Sequence, residues 1–127
     1  MLMTRIFLAI ASILAGLSVA AGAFAAHALR QKLSERAMEI FDTGARYQMY
    51  HALALLVVAL LLTRAEAPQS TLVAAGSAFI LGIALFSGSL YALSLTDIKW
   101  LGAIAPLGGA AFLIGWSCLA VAALAFK

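Results

Sequence analysis

The stretch Ile6-Phe-Leu-Ala-Ile-Ala-Ser-Ile-Leu-Ala-Gly-Leu-Ser-Val-Ala-Ala-Gly-Ala-Phe-Ala-Ala-His-Ala-Leu29 decides the fold. It carries no Asp, Glu, Lys or Arg, and about 20 such residues in a helix cross the hydrocarbon core of a bilayer. Arg5 before it and Ala-Gly-Ala near its end also fit a secretory leader cleaved near Ala23. A leader core is only about 7–15 residues long, however. Three further apolar runs follow, over residues 47–63, 71–95 and 101–126. The first run is therefore read as the first of four membrane spans.

Composition supports this reading. Of the 127 residues, 65% are hydrophobic and 10% charged, against about 45–50% and about 25% in soluble domains. A chain this short cannot hide that excess inside a globule, so lipid must solvate it. The expected fold is an all-α integral membrane four-helix bundle forming a single domain, residues 1–127. Short connections favour antiparallel neighbours and an up-down-up-down order. The net charge of +3 comes without the basic, aromatic-interleaved stripe of a nucleic-acid binder. A lone cysteine, Cys118, excludes a disulfide framework within the chain.

Between the first two runs lies a polar segment, residues 30–46. Leu33, Ala37, Ile40 and Phe41 recur there at helical spacing, with Glu35, Arg36, Glu39 and Asp42 on the other face. With Ser34 as its N-cap, this predicts a short helix lying in the membrane interface. Arg30, Lys32, Arg36, Arg46 and Lys99 fall on the loop side, against Arg5, Arg64 and Lys127 at the terminal side. That balance leans the loops toward the cytoplasm.

Helices in lipid associate through small residues and interhelical hydrogen bonds. Ser12, Gly16, Ala20 and Ala23 form one such stripe, ending at His27. In the third run Ser77, Ala84, Ser87, Tyr91 and Ser94 share a face on a regular helical wheel, and Gly82 and Ser89 share another. In the fourth run, Pro106 with Gly108-Gly109 predicts a kink or hinge.

Placed by depth, the embedded polar groups gather toward the loop side: His27, Arg46, Tyr47, Tyr50, His51, Ser87, Ser89 and Tyr91. An intramembrane ionisable residue points to a site, so these residues are the candidate ligand-binding layer. The bland reading is that each imidazole satisfies a neighbouring helix. Two histidines without an embedded carboxylate make no metal site, and no cofactor is expected. Arg46 suits anionic headgroups or Asp42 one turn earlier. Trp116, mid-span, needs a partner for its N–H, although packing is the simpler reason for it. Ser87-Gly-Ser89 has no histidine–carboxylate pair in reach. No phosphate loop, metal-protease or haem motif is present.

Five blocks carry a family resemblance. They are Ala21-Gly-Ala-Phe-Ala-Ala-His27-Ala-Leu29, Thr43-Gly-Ala-Arg-Tyr-Gln-Met-Tyr-His51-Ala-Leu-Ala-Leu55, Phe86-Ser-Gly-Ser-Leu-Tyr91, Pro106-Leu-Gly-Gly109 and Gly115-Trp116. In this order they resemble the small bacterial membrane proteins grouped as domain of unknown function 423. The resemblance implies a four-span protein of the bacterial inner membrane and assigns no activity or catalytic residue. The function expected is non-enzymatic: binding, or acting as an accessory or assembly protein. A small oligomeric channel or transporter using the His27–His51 layer is the alternative. The expected partners are the bilayer, anionic headgroups, and a larger membrane complex or a second copy.

Overall fold

The computed structural model describes residues 1–126 and is built from four long helices. They are α1 (Leu2–Leu29), α2 (Glu35–Leu61), α3 (Gln69–Thr96) and α4 (Lys99–Ala125), each long and apolar enough to cross a membrane. Residue numbers run in opposite senses across each neighbouring pair. Ser18 and Leu14 oppose Ala45 and Gln48. Phe41 and Tyr47 oppose Tyr91 and Phe86, and Gly82 and Gly108 oppose Phe112 and Phe86.

The ends follow from local chemistry. Ser34 caps α2, its hydroxyl accepting from the Ala37 N–H at 3.1 Å. Pro68, which has no N–H to leave unpaired, precedes the first turn of α3. Asp97 ends α3 in the left-handed region, at φ 59°, a conformation that Asp tolerates better than most residues.

Two expectations change here. The amphipathic segment is not a separate interfacial helix: from Glu35 the helix runs unbroken to Leu61. The change of composition at Arg46–Tyr47 contains no helix breaker, and the buried face passes through it at Phe41, Gly44, Ala45, Gln48 and His51. Nor does Pro106 kink a span. It sits in the first turn of the α-helical part of α4, which a 3₁₀ turn over Lys99–Ala103 introduces, and there its missing N–H costs nothing.

The middle of α3 is wound more loosely, as a π segment over Ile83–Ser87. Such a segment absorbs one extra residue. Before it α3 packs chiefly on α4, and after it on α2. The segment also explains a misplaced face. Ser77 and Ala84 are exposed, whereas Ser87 and Ser94 are buried.

Apolar packing fills the half of the bundle nearer the chain termini, around Phe7, Leu55, Val58, Leu72 and Phe79, each at most 2% exposed. A smaller cluster, Ala25, Leu29 and Phe41, closes the loop end. Gly82 and Gly108 stand at close approaches between α3 and α4. A Cβ on Gly108 would stand 2.3 Å from the Phe86 backbone nitrogen, and one on Gly82 would stand 2.3 Å from the Phe112 ring. Gly16 and Gly109 have open space where a Cβ would go, and Ala20 is exposed. The stripe on α1 thus faces away from the bundle.

Candidate functional site

Between the apolar core and the loop end lies a belt of hydrogen bonds joining α1, α2 and α3. Its centre is Gln48, 5% exposed. The Gln48 amide donates to the Leu14 carbonyl of α1 at 2.7 Å, and its oxygen accepts from the Tyr91 hydroxyl of α3 at 2.6 Å. One turn nearer the loop end, Ser18 donates to the Ala45 carbonyl and Ser87 to the Gly44 carbonyl, both at 2.7 Å. Gly44 makes this approach possible, because a Cβ there would meet Tyr91 Cε1 at 3.2 Å. Ser89 bonds within its own helix, to the Phe86 carbonyl. Among the described residues, no buried side-chain nitrogen or oxygen lacks a partner. The belt is a closed network, and its members Ser87 and Tyr91 tie α3 to α2.

Beside the belt, α2, α3 and α4 leave a cleft of about 400 Å³, lined by Tyr47, Tyr50, His51, Phe86, Gly109, Phe112, Leu113 and Trp116. Tyr50, Leu113 and Trp116 are 51%, 70% and 45% exposed, so the cleft opens on the flank of the bundle. His51 forms its floor and is fixed on three sides. Its ring lies flat on Phe112, with centroids 3.5 Å apart and planes 7° from parallel. Trp116 Nε1 lies 3.1 Å from His51 Nε2, and His51 Nδ1 lies 2.7 Å from the Tyr47 carbonyl. Indole N–H can only donate and a carbonyl can only accept. His51 Nε2 must therefore carry a lone pair and Nδ1 the proton, which fixes a neutral imidazole of one tautomer. Both ring nitrogens are engaged, leaving neither for a metal or a substrate.

The sequence grouping thus splits into three. Tyr47, Tyr50 and His51 come together at the cleft, while Ser87, Ser89 and Tyr91 belong to the belt or to α3 itself. His27 stands apart. It is exposed on a π turn at the end of α1, beside Arg30, Gln31 and Lys32. His51 instead lies level with the part of α1 before Leu14, several turns away. A shared layer of the two histidines is therefore corrected: α2 starts earlier than its apolar run, which places His51 deep along the helix. Arg46 is exposed and makes no ion pair with Asp42. The ion pairs among the described residues are Arg36–Glu39, Arg64–Glu66 and Lys99–Asp97.

Sequence reasoning put Gln48 in the polar layer without making it a site residue, and left out Phe86, Phe112 and Trp116. The signal for the last two was Phe112–Trp116 one turn apart on α4, matching Tyr47–His51 one turn apart on α2. Among the described residues no group of three or more His, Cys, Asp or Glu could hold a metal ion.

The chain matches the family model described as "Protein of unknown function (DUF423)" over residues 21–109. It is similar to the UPF0382 membrane protein YwdK of Bacillus subtilis, 46% identical over 122 residues covering 96% of this chain and 98% of that protein. A UPF0382 membrane protein of Staphylococcus epidermidis is 43% identical over 122 residues, again 96% of this chain and 98% of the relative. One from Haemophilus influenzae is 46% identical over 102 residues, 80% of each. No solved structure matches. The four apolar helices and these relatives agree, and the chain belongs to the DUF423 family as a small multi-pass membrane protein of bacterial type.

Proposed function

We propose that this protein acts without catalysis, by binding a membrane-resident amphiphile in the cleft between α2, α3 and α4. The observation that supports this most is the chemistry of the cleft walls. They are aromatic and aliphatic, they open on the flank rather than at an end, and their one imidazole is held neutral by Trp116 and Tyr47. A volume near 400 Å³ falls in the lower part of the range of about 300–1,000 Å³ for small-molecule sites. A general base needs a free nitrogen within reach of its proton, and both nitrogens of His51 are taken.

The channel alternative draws no support from this geometry. His27 and His51 do not share a layer, and Phe7, Leu55, Leu72 and Phe79 fill the bundle beyond His51. The binding reading has a direct test. Gly109→Leu places a side chain into the cleft from a position with open space, so the fold is expected to survive. Mass spectrometry of protein purified in mild detergent should find a small molecule or lipid retained by the wild type and lost from the variant. Equal retention by both proteins would remove this reading.

A further inference from the structure

We propose that the amphiphile is an anionic phospholipid, its phosphate held at Arg46 and one acyl chain laid along Phe86, Gly109, Phe112 and Leu113. This rests on the binding reading above and names the ligand for the same cleft.

Charged, phenolic and apolar groups follow one another along the groove. Arg46 is the last charged residue of α2 before the apolar stretch that ends at Arg64. It is exposed, and none of the three ion pairs among the described residues includes it. It lies level with the middle of α1, between the Ser18–Ala45 and Leu14–Gln48 bonds, and a long basic side chain at that depth carries its charge along the flank toward the headgroups. Guanidinium pairs with phosphate through a two-pronged hydrogen bond. One turn further along α2 comes Tyr50, and beside it Tyr47. Both line the cleft, and neither hydroxyl bonds to another group among the described residues. These donors are left over in a protein where, among the described residues, no buried side-chain nitrogen or oxygen lacks a partner.

Away from Arg46, the groove is hydrocarbon and aromatic as far as Trp116 and His51. Those two spend their hydrogen-bonding capacity on each other and on Tyr47. That end therefore offers nothing to a polar head, whereas Tyr47 and Tyr50, with Arg46 one turn before Tyr50 on the same face of α2, supply donors at the other. A ligand with a charged end and an apolar tail fits in one direction only, head toward Arg46. Net negative charge on the head is favoured over a zwitterion, because a choline group would carry a second cation to the same place.

The test uses Trp116 as the reporter in a Trp100→Phe background, so that one indole emits. The full chain is reconstituted in phosphatidylcholine vesicles containing small, rising fractions of brominated phosphatidylglycerol or brominated phosphatidylcholine. Bromine quenches indole on contact. The anionic lipid should quench Trp116 at a several-fold lower mole fraction than the zwitterionic one. Arg46→Gln should bring the two curves together, Arg46→Lys should restore part of the gap, and Gly109→Leu should weaken quenching by both lipids. Equal quenching by the two lipids in the Arg46 protein, or a gap that survives Arg46→Gln, overturns the headgroup assignment. If Gly109→Leu still protects Trp116 in that case, the cleft reading stands without it. If Gly109→Leu alters neither curve, both fail.

Discussion

Gln48 bonds two other helices at once, taking the Leu14 carbonyl on one side and the Tyr91 hydroxyl on the other. In a lipid-solvated bundle such bonds average about 0.6 kcal/mol, with a ceiling near 1.7. Leaving the part-buried Tyr91 hydroxyl unpaired brings the cost to about 1–3 kcal/mol. Gln48→Leu is therefore expected to destabilise the protein by about 1–3 kcal/mol, seen as a lower unfolding midpoint in detergent. In a Tyr91→Phe background the same change should cost clearly less, because the orphaned hydroxyl is already gone. A strictly additive double-mutant cycle would show that the two side chains do not act as a pair. Nothing in the sequence points to this pairing. The partners lie 43 residues apart, and a glutamine among Tyr47, Met49 and Tyr50 looks like one more interfacial polar group.

At the scale of the element, α4 holds two adjacent glycines with opposite duties. Gly108 faces the backbone of Phe86, which cannot move aside as a flexible side chain would, while Gly109 faces open space in the cleft. Gly108→Ala should then cost at least the 1–3 kcal/mol typical of overpacking, about the largest effect of any single methyl here. Gly109→Ala should leave stability unchanged or raise it by up to about 1 kcal/mol through helix propensity. Thermal unfolding of the two variants side by side checks both. The sequence made the existence of the four helices plain, because uninterrupted apolar runs of this length have no other stable form in lipid. It concealed where α2 begins. Composition changes at Arg46–Tyr47, but only a residue that cannot continue a helix ends one, and none is present. That hidden start is why His51 looked close to the surface layer of His27. The cleft was half visible, in the mid-span Trp116 with an N–H to satisfy.

Taken whole, the molecule divides its labour along its length, with apolar packing toward the termini and polar bonding toward the loop end. Both rely on α3, which addresses α4 with its first part and α2 with its last. The loosely wound turn at Ile83–Ser87 is what lets one helix serve two neighbours. Each residue of a regular α-helix advances the azimuth by about 100°, so one surplus residue would swing everything after it out of phase. The wide turn swallows that surplus. In effect α3 contains one residue more than its pattern of faces requires, and the excess is parked in a known place. Deleting Ala84, an exposed residue inside that turn, should let an ordinary α-helix join the same two halves. Ser87 and Tyr91 would still meet Gly44 and Gln48, and the unfolding midpoint should stay close to that of the full-length chain. Inserting an alanine at the same point would leave the turn a second residue to absorb, and should lower the midpoint sharply. A deletion that proved as damaging as the insertion would mean that the wide turn is a fixed joint rather than slack in the chain.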